Sequence, residues 1–198
     1  MERTDLVIPV SKEAVEHGFK LGVKVYRDKL RFPDKFNLGG ANELQADIFG
    51  FIAECVVCEY FETPFPKFTP KKNDIYDLKI RGLRVDVKKV GYSSYTKQPK
   101  ITLNKRQFDR KKDRIDAFLF CTFKGAFDQK ENILGYQITY PLPELGRLCL
   151  LGWVLSSNVE LKGKTYVWKD RDGRPRDESW ELKLGLLKDV RELISDAE

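Results

Sequence analysis

The chain has 198 residues, 41% hydrophobic, 12% aromatic and 33% charged, which is too apolar for a disordered chain and too polar for a membrane protein. It contains no apolar run of about 18 residues and no secretory signal at its start, so we expect an intracellular, cytoplasmic protein that does not cross a membrane. Its 36 Lys and Arg residues outnumber its 30 Asp and Glu residues, and the net charge of +6 is compatible with a polyanionic partner.

Hydrophobic periodicity and turn residues predict two helices before the first strands. In chain order, the first half is predicted to form a helix over 11–31 capped by Ser11, a loop to residue 40, a helix over 42–61 capped by Asn42, a loop over 62–73, and strands at 75–80 and 83–90. Gly18 and Gly22 fall inside the first helix, where glycine lowers helix stability.

The second half is predicted to be mainly β-structure. In chain order, we expect an irregular polar segment over 91–104, a basic stretch over 105–114, strands at 117–123, 135–139 and 148–155, a charged hairpin or long loop over 158–180, and a closing helix or turn over 181–195. We therefore predict one α/β domain over 1–198, with a core over about 42–155 and a C-terminal elaboration over 156–198. Its strands would form a mixed sheet against the helix over 42–61.

Four cysteines lie in apolar segments of the predicted helices and strands. Cys55 and Cys58 have the spacing of a zinc or redox pair, but they fall in the middle of an apolar helical run. Cys121 and Cys149 each lie in a predicted strand without a second cysteine close by. We therefore expect buried thiols rather than metal ligands, although convergence of all four would allow an iron–sulfur site.

The two strands around Arg81-Gly82 form the most informative segment of the sequence. A two-residue turn at this point would pair residues whose numbers sum to 163. Three pairs of apolar residues then share one face and would point towards the core: Ile80 with Leu83, Leu78 with Val85, and Tyr76 with Val87. A three-residue loop with a bulge would shift this register by one residue.

The other face of the hairpin would bring two carboxylates together, with Asp77 opposite Asp86 and Lys88 on the same face. Opposed carboxylates repel each other, and a divalent cation such as Mg²⁺ would offset the repulsion because it prefers hard oxygen ligands. Lys88 would then hold a phosphate oxygen or orient an attacking water. Asp74 is the rival to Asp77, although it falls on the apolar face, and a solvated polar face is the alternative to a metal site.

Asp77, followed by eight residues and then Asp86-Val87-Lys88, resembles the motif of the PD-(D/E)XK nuclease superfamily. This superfamily includes many restriction enzymes, junction resolvases and repair exonucleases. The proline of its name is missing before Asp77, as in many members. The resemblance covers roughly residues 42–123 and implies a restriction-endonuclease-like αβββαβ core, in which a central mixed β-sheet is flanked by helices.

The segments on either side extend this resemblance. Members of the superfamily place an inward glutamate on the helix before the hairpin, and Glu54 matches it within the apolar run of 42–61, with Glu43 as the alternative. A solvent-exposed helix face would explain both glutamates without a metal. After the motif, members return through a helix to a buried strand, as the basic stretch and the next strand do here. Some branches carry a functional Gln on that helix, which Gln107 matches, but the Tyr that often follows four residues later is absent.

The basic stretch after the motif suits a phosphate backbone. We expect nucleic-acid contacts from a mostly cationic set of residues in and before it: Lys89, Lys105, Arg106, Gln107, Arg110 and Lys111. A solvated helix face is the alternative. His17 is the only histidine and lies far from the motif in sequence, so a histidine-based nuclease is not expected.

Together these features predict a Mg²⁺-dependent DNA endonuclease of the PD-(D/E)XK type, with Mn²⁺ able to substitute. Asp77, Asp86 and Glu54 would hold the metal, and Lys88 would steady the attacking water. The partner would be DNA, and a homodimer would let two sites meet both strands. The alternatives are a catalytically silent nucleic-acid-binding module, a junction resolvase or exonuclease of the same superfamily, and an unrelated α+β interaction protein.

Overall fold

The structure, a computed structural model, describes the chain except for residues 1–4, 32–39, 68–75, 91–99, 125–128, 142, 144–145, 170–171, 174 and 194–198. Within the described residues, the helices and strands are β1 (Leu6–Pro9), α1 (Lys12–Leu30), α2 (Ala41–Tyr60), β2 (Leu78–Ile80), β3 (Leu83–Lys89), β4 (Lys100–Asn104), α3 (Lys105–Lys111), β5 (Ala117–Lys124), β6 (Gln129–Ile133), β7 (Tyr136–Tyr140), β8 (Arg147–Leu155), α4 (Ser156–Lys162), β9 (Lys164–Lys169) and β10 (Pro175–Lys183). Two short 3₁₀ turns follow at Leu184–Leu186 and Val190–Leu193. No helix in this described part of the chain is long and apolar enough to cross a membrane.

The largest sheet is mixed, which confirms the predicted α/β class. Its strand order is β1-β8-β5-β3-β2, with β2 antiparallel to β3 and β3 parallel to β5. A separate antiparallel sheet has the order β4-β10-β9, and β6 pairs with β7 in a two-stranded ribbon. The third strand after α2, which is β4, therefore belongs to the second sheet and not to the largest one.

The chain divides into two compact units, each built from separated segments. The hairpin unit contains residues 1–6, 75–122 and 150–198, and the helical unit contains residues 7–74 and 123–149. The nuclease-like motif lies in the hairpin unit, and the two long helices lie in the helical unit. The expectation of a single domain stays a prediction.

Two glycines let the long helices of the helical unit pack closely together. A Cβ atom at Gly18 would lie 2.5 Å from the Cα atom of Ile52, and one at Gly22 would lie 2.5 Å from that of Ile48. No side chain fits at such distances from a neighbouring backbone. The residues that weaken α1 by propensity therefore permit its contact with α2.

The start of α1 agrees with the prediction, but the start of α2 does not. Ser11 caps α1, and its hydroxyl oxygen accepts a hydrogen bond from the Ala14 amide at 3.0 Å. Asn42 is not the cap of α2, because this helix begins at Ala41 after Gly40, whose φ is +60°. A positive φ favours glycine, so backbone conformation rather than a side-chain acceptor defines this start.

An aromatic cluster anchors α3 in the hairpin unit. The Phe108 ring centroid lies 5.7 Å from that of Phe118 on β5 and 6.1 Å from that of Trp180 on β10. Phe108 is buried, whereas the residues on either side of it are exposed. One apolar side chain thus sets the orientation of an otherwise polar helix and decides which polar residues face inwards.

The C-terminal segment is more regular than predicted. The expected charged hairpin is formed by β9 and β10, but a helix, α4, precedes it. The expected closing helix or turn over 181–195 is formed, within the described residues up to 193, by two 3₁₀ turns that follow the end of β10 at Lys183. The predicted irregular segment ends in β4, which pairs with β10. The strand that was missed, β4, is thus defined by a partner far away in sequence.

The four cysteine side chains are buried, as the sequence predicts. Burial is also the main cause that raises the pKa of the Cys55 thiol above its ordinary value. A thiol with a raised pKa stays protonated at neutral pH, and the thiolate is the reactive form. Cys55 is therefore a packing residue of α2.

Candidate active site

The hairpin of β2 and β3 has the predicted register. Leu78 pairs with Val85, Lys79 with Arg84, and Ile80 with Leu83. Both turn residues have positive φ, +50° at Arg81 and +82° at Gly82, as the tight two-residue turn of a hairpin requires. The sequence therefore identifies this turn correctly, and a bulged three-residue loop is excluded.

The ladder ends at Leu78, one residue before the predicted Asp77–Asp86 pair. The Asp77 amide donates to the Val85 carbonyl at 2.9 Å, and the Val87 amide donates to Asp77 Oδ2 at 2.6 Å. In the predicted register Tyr76 would pair with Val87. Instead, the Asp77 carboxylate accepts the hydrogen bond from the Val87 amide. This bond holds the carboxylate against β3, close to Asp86.

Asp86 lies in the middle of β3 with none of its surface exposed to solvent. Its burial follows from the position of β3 between β2 and β5, where Asp86 is in register with Phe118. Lys111 Nζ donates to Asp86 Oδ1 at 2.8 Å, and Lys88 Nζ forms an ion pair with Oδ2. Apart from this ion pair, Asp86 Oδ2 has no hydrogen-bond partner among the described residues. We call Asp77, Asp86, Lys88 and Lys111 the Asp86 cluster.

The pKa of Asp77 shows that the two carboxylates of this cluster repel each other. Burial and repulsion from Asp86 raise the pKa of Asp77 to about 7, while Lys88, Lys111 and the Val87 amide act in the opposite direction. Two lysines therefore do not fully offset the cost of holding two carboxylates together in a buried place. A further cation beside both carboxylates would relieve this repulsion.

A second ion pair fixes the strands that carry the cluster. The Arg84 amide and Nε donate to Asp116 Oδ2 at 2.7 and 2.9 Å, and Arg84 Nη2 donates to Oδ1 at 2.8 Å. The hydrogen bonds from Arg84 lower the pKa of Asp116 to about 2. Because Asp116 immediately precedes β5, this pair locks β3 and β5 in register two residues from Asp86.

Lys111 is a site residue that sequence reasoning placed among the nucleic-acid contacts. It lies on α3, whose inward side is set by Phe108, and it follows Phe108 by three residues. Residues three apart share a helix face, so Lys111 points inwards and meets Asp86. The signal that would have found it is the single apolar residue between Lys105 and Lys112.

A small cavity of about 110 Å³ borders the Asp86 cluster. Lys88, Lys111, Gln107 and Asn104 provide its polar groups, and its remaining wall is formed by Thr102, Leu103, Phe108 and Phe118. Asn104 also caps α3, because its Oδ1 accepts a hydrogen bond from the Gln107 amide at 3.0 Å. Gln107 thus lines the same cavity as Lys88 and Lys111, and its functional role stays a prediction. The cavity is lined by two lysines and two side-chain amides, which suit an anionic ligand.

The other predicted nucleic-acid residues lie on the surface. Lys105 bridges Asp109 at 3.3 Å and Glu178 at 3.6 Å. Arg106 and Arg110 are exposed, and together with Lys105 they line a shallow cavity of about 350 Å³. Lys89 is exposed on the face of β3 opposite to that of Lys88. The six predicted residues therefore fall into two that line the cavity beside Asp86, Gln107 and Lys111, an outward cluster on α3 and one separate lysine.

The predicted glutamates belong to the helical unit. Glu54 is half-buried on α2, and its metal-binding role stays a prediction. The alternative, Glu43, accepts a hydrogen bond from Lys29 at 3.0 Å, and Asp47 accepts one from the same ammonium at 2.8 Å. We call Lys29, Glu43 and Asp47 the Lys29 cluster. Asp74, the rival to Asp77, lies outside the described residues.

The donor set of the Asp86 cluster fits a magnesium ion. Among the described residues, no group of three or more His, Cys, Asp and Glu side chains is placed to hold a metal. Magnesium, however, is usually held by one or two carboxylates together with waters and substrate phosphates. Asp77 and Asp86 supply two carboxylates, and Asp86 Oδ2 is a buried oxygen that accepts no hydrogen bond.

Comparison of the chain with protein-family models, with curated proteins and with solved structures finds no match. Function therefore has to be inferred from the chemistry of the site.

Proposed function

We propose that this protein is a Mg²⁺-dependent DNA endonuclease of the PD-(D/E)XK type, which hydrolyses phosphodiester bonds. The observation that carries the proposal is the fully buried carboxylate of Asp86, which lies near Asp77 and between the ammonium groups of Lys88 and Lys111. Buried ion pairs add little net stability compared with apolar residues of similar volume. Strained charge clusters beside a cavity are, in contrast, typical of active sites.

The order of elements supports the same proposal. The helices and strands α2, β2, β3, β4, α3 and β5 follow one another as the superfamily's αβββαβ series. The strands β3 and β5 are parallel, and α3 lies between them in sequence. The place of β4 in a second sheet is a departure, so the restriction-endonuclease-like fold is part of the proposal.

Asp77 and Asp86 would hold the metal. Glu54 lies in the helical unit, and its role as a metal ligand remains an implication of the resemblance alone. A bound Mg²⁺ would act as a Lewis acid that polarises the scissile phosphoryl group. The hydrogen bond from the Val87 amide fixes the Asp77 carboxylate, and the two lysines fix that of Asp86. The ligand oxygens are therefore positioned before any metal arrives, which limits the entropy lost on binding.

The two lysines would bind and stabilise the phosphate. Lys88 and Lys111 both border the cavity next to Asp86, so an anionic oxygen placed there would meet two ammonium groups. Each ammonium has three N–H donors, so it can contact Asp86 and a phosphate oxygen at the same time. Negative charge grows on the phosphoryl oxygens as water attacks, and prepositioned cations stabilise that transition state. Gln107 would orient the water or the leaving oxygen from the same cavity.

The outward cluster on α3 would hold the DNA backbone. Lys105, Arg106 and Arg110 are next to the inward residues on the same helix, so phosphates on one strand could meet both groups. Contacts of this kind release counterions and make binding sensitive to salt. A homodimer would bring a second site to the complementary strand.

The test is cleavage of supercoiled plasmid and of linear DNA with Mg²⁺ or Mn²⁺. Wild type should nick and linearise the plasmid, while Asp86→Asn and Lys88→Ala should be inactive. Lys162→Ala, an exposed lysine of α4, serves as the control and should cleave normally. Thermal melting of each variant separates loss of chemistry from loss of fold. Equal activity of wild type and both site variants would exclude the nuclease proposal.

The pairing of Asp86 with two lysines also favours a second candidate, a catalytically silent DNA-binding module. In such a module the lysines would neutralise the buried carboxylate without a metal. DNA binding without cleavage under either metal ion would select it. Shortening of linear DNA from its ends with intact plasmid would instead select an exonuclease of the same superfamily.

A further inference from the structure

A basic groove runs along the exposed side of α1 in the helical unit. The groove encloses about 720 Å³ and has an apolar floor formed by Phe19, Val23 and Ile133. Its rim carries four cations and one carboxylate: Lys20, Lys24, Arg27, Arg31 and Asp28. Neither the sequence motif nor the Asp86 cluster makes use of these residues.

The cations of this groove form one continuous stripe. Their positions, 20, 24, 27 and 31, are separated by four, three and four residues, which places them on one face of the helix. At 1.5 Å per residue, the stripe is roughly 16 Å long. All four are exposed, and the single carboxylate, Asp28, is already paired with Arg31 at 3.2 Å.

The stripe is not needed for the packing of α1. This helix contacts α2 through its opposite side, where Gly18 and Gly22 allow the close approach of the two backbones. Four cations against one carboxylate on this side of the helix carry a cost, because like charges three and four residues apart destabilise a helix. The excess of positive charge along an apolar floor therefore suits an extended polyanion.

We infer that this groove binds a strand of DNA, with phosphates along the basic stripe and sugars or bases over the apolar floor. The choice of DNA as the occupant rests on the proposed function. Phosphates on one strand of a duplex are spaced about 3.4 Å apart along its axis, so the stripe spans roughly four or five of them. The combination of a charged rim and an apolar, partly aromatic floor is typical of surfaces that hold single strands.

The experiment measures binding of a labelled duplex and of a labelled single strand by fluorescence anisotropy. The full chain is used in the presence of a chelator, so that no cleavage occurs. The variant Lys20→Gln/Lys24→Gln should bind less tightly, and the slope of log K against log salt should become shallower by about 1.8 for duplex or 1.4 for single-stranded DNA. The form of DNA whose slope changes by the full amount expected for it is the form that the groove holds. Glutamine is a good helix former, so the fold should be unchanged.

The matched control is Lys12→Gln/Lys162→Gln, which removes the same charge from exposed positions outside the groove. It should leave the salt slope unchanged, and equal shifts in both double variants would overturn the inference. Groove-dependent binding to polyglutamate with unchanged DNA binding would assign an acidic protein and overturn it too. DNA cleavage by wild type with no effect of the groove variant would leave the nuclease proposal standing and remove this one. DNA binding that depends on the groove, without cleavage by wild type, would leave the groove inference standing and remove the nuclease proposal.

Discussion

Two clusters of charge, one in each unit, use the same chemical groups in different arrangements. The Lys29 cluster places one ammonium between two carboxylates, whereas Asp86 is one carboxylate between two ammonium groups. The three side chains of the Lys29 cluster keep 17–23% of their surface exposed, while Asp86 keeps none. The first cluster joins α1 to α2 at the edge of a helix pair, and the second lies inside a sheet.

The difference between them separates a structural ion pair from a candidate active site. In the Lys29 cluster the side chains are partly exposed to solvent, and the single ammonium is bonded to both carboxylates. The lysines of the Asp86 cluster also face a cavity of about 110 Å³, where a ligand can share them. Similar distances between charged atoms therefore support different functions, depending on burial and on the space beside them.

The largest expected effect is the loss of stability when the buried carboxylate is removed. Asp86→Ala would remove the one carboxylate that both lysines contact and leave their ammonium groups with Asp77 alone, which should lower the free energy of unfolding by about 3–5 kcal/mol. Asp47→Ala in the Lys29 cluster should cost about 1 kcal/mol or less, because that cluster is partly exposed. Urea unfolding measures both values. Equal losses would mean that the two clusters do not differ as described.

The next effect concerns catalysis by the inward lysine of α3. Lys111→Ala should lower the rate of DNA cleavage about 10²-fold, since it removes one preorganised cation from the phosphate cavity. Lys29→Ala should leave the rate unchanged. Single-turnover cleavage with enzyme in excess measures the chemical step, and salt-dependent binding shows whether Lys111 merely attracts DNA. A Lys111 variant with normal turnover would limit the site to the residues of the sequence motif.

An added methyl group between α1 and α2 should lower the stability of the protein more than the loss of one charge from the Lys29 cluster does. Gly18→Ala would place Cβ 2.5 Å from backbone atoms of Ile52, and overpacking of this kind costs about 1–3 kcal/mol. Gly50→Ala on α2 meets nothing within 4 Å and should stabilise the helix by up to about 1 kcal/mol. Opposite shifts in melting temperature are expected. Two shifts of the same sign would show that the helices can move apart freely.

The smallest effect is a difference in acid sensitivity. The pKa of Asp116, held to about 2 by Arg84, lies below its unfolded value, so this pair stabilises the protein above about pH 4 and loses its contribution as the pH falls towards 2. Burial raises the pKa of Asp47 despite its bonds to Lys29, so protonation of Asp47 favours the native state as the pH falls.

Wild type should lose stability as the pH falls from about 4 to 2. We expect this loss to be smaller in Asp116→Asn, by roughly 1 kcal/mol or less because the pair is partly exposed. Asp47→Asn should leave that loss at least as steep. The measurement is the free energy of unfolding in urea across this pH range. Parallel curves for wild type and Asp116→Asn would contradict the assignment of this pair.

Local signals in the sequence predicted the parts of the fold that depend on neighbouring residues. The turn at Arg81-Gly82 fixed the register of the hairpin, and Ser11 marked the start of α1. Alternation and apolar runs identified β5 and β8. In each case the physical cause acts within a few residues, so one segment carries enough information.

The remaining parts depend on partners distant in sequence. The strand β4 is short and follows a polar segment, and it exists because it pairs with β10, about 80 residues later. The start of α2 at Gly40 reflects a backbone conformation that no side-chain cap announces. The inward direction of Lys111 depends on Phe108 packing against Trp180, a partner distant in sequence, although the single apolar residue of α3 marks the inward side of the helix. Sequence reasoning therefore grouped Asp77, Asp86 and Lys88 and assigned Lys111 to the nucleic-acid contacts.

The most direct test of the account compares cleavage of supercoiled plasmid with Mg²⁺ by Asp86→Asn and by Asp47→Asn. Both variants replace a buried or half-buried carboxylate with an amide of the same shape, one in each cluster. We expect Asp86→Asn to be folded and inactive, and Asp47→Asn to cleave at the wild-type rate. Wild-type cleavage by a folded Asp86→Asn protein would contradict the claim that the Asp86 cluster is an active site.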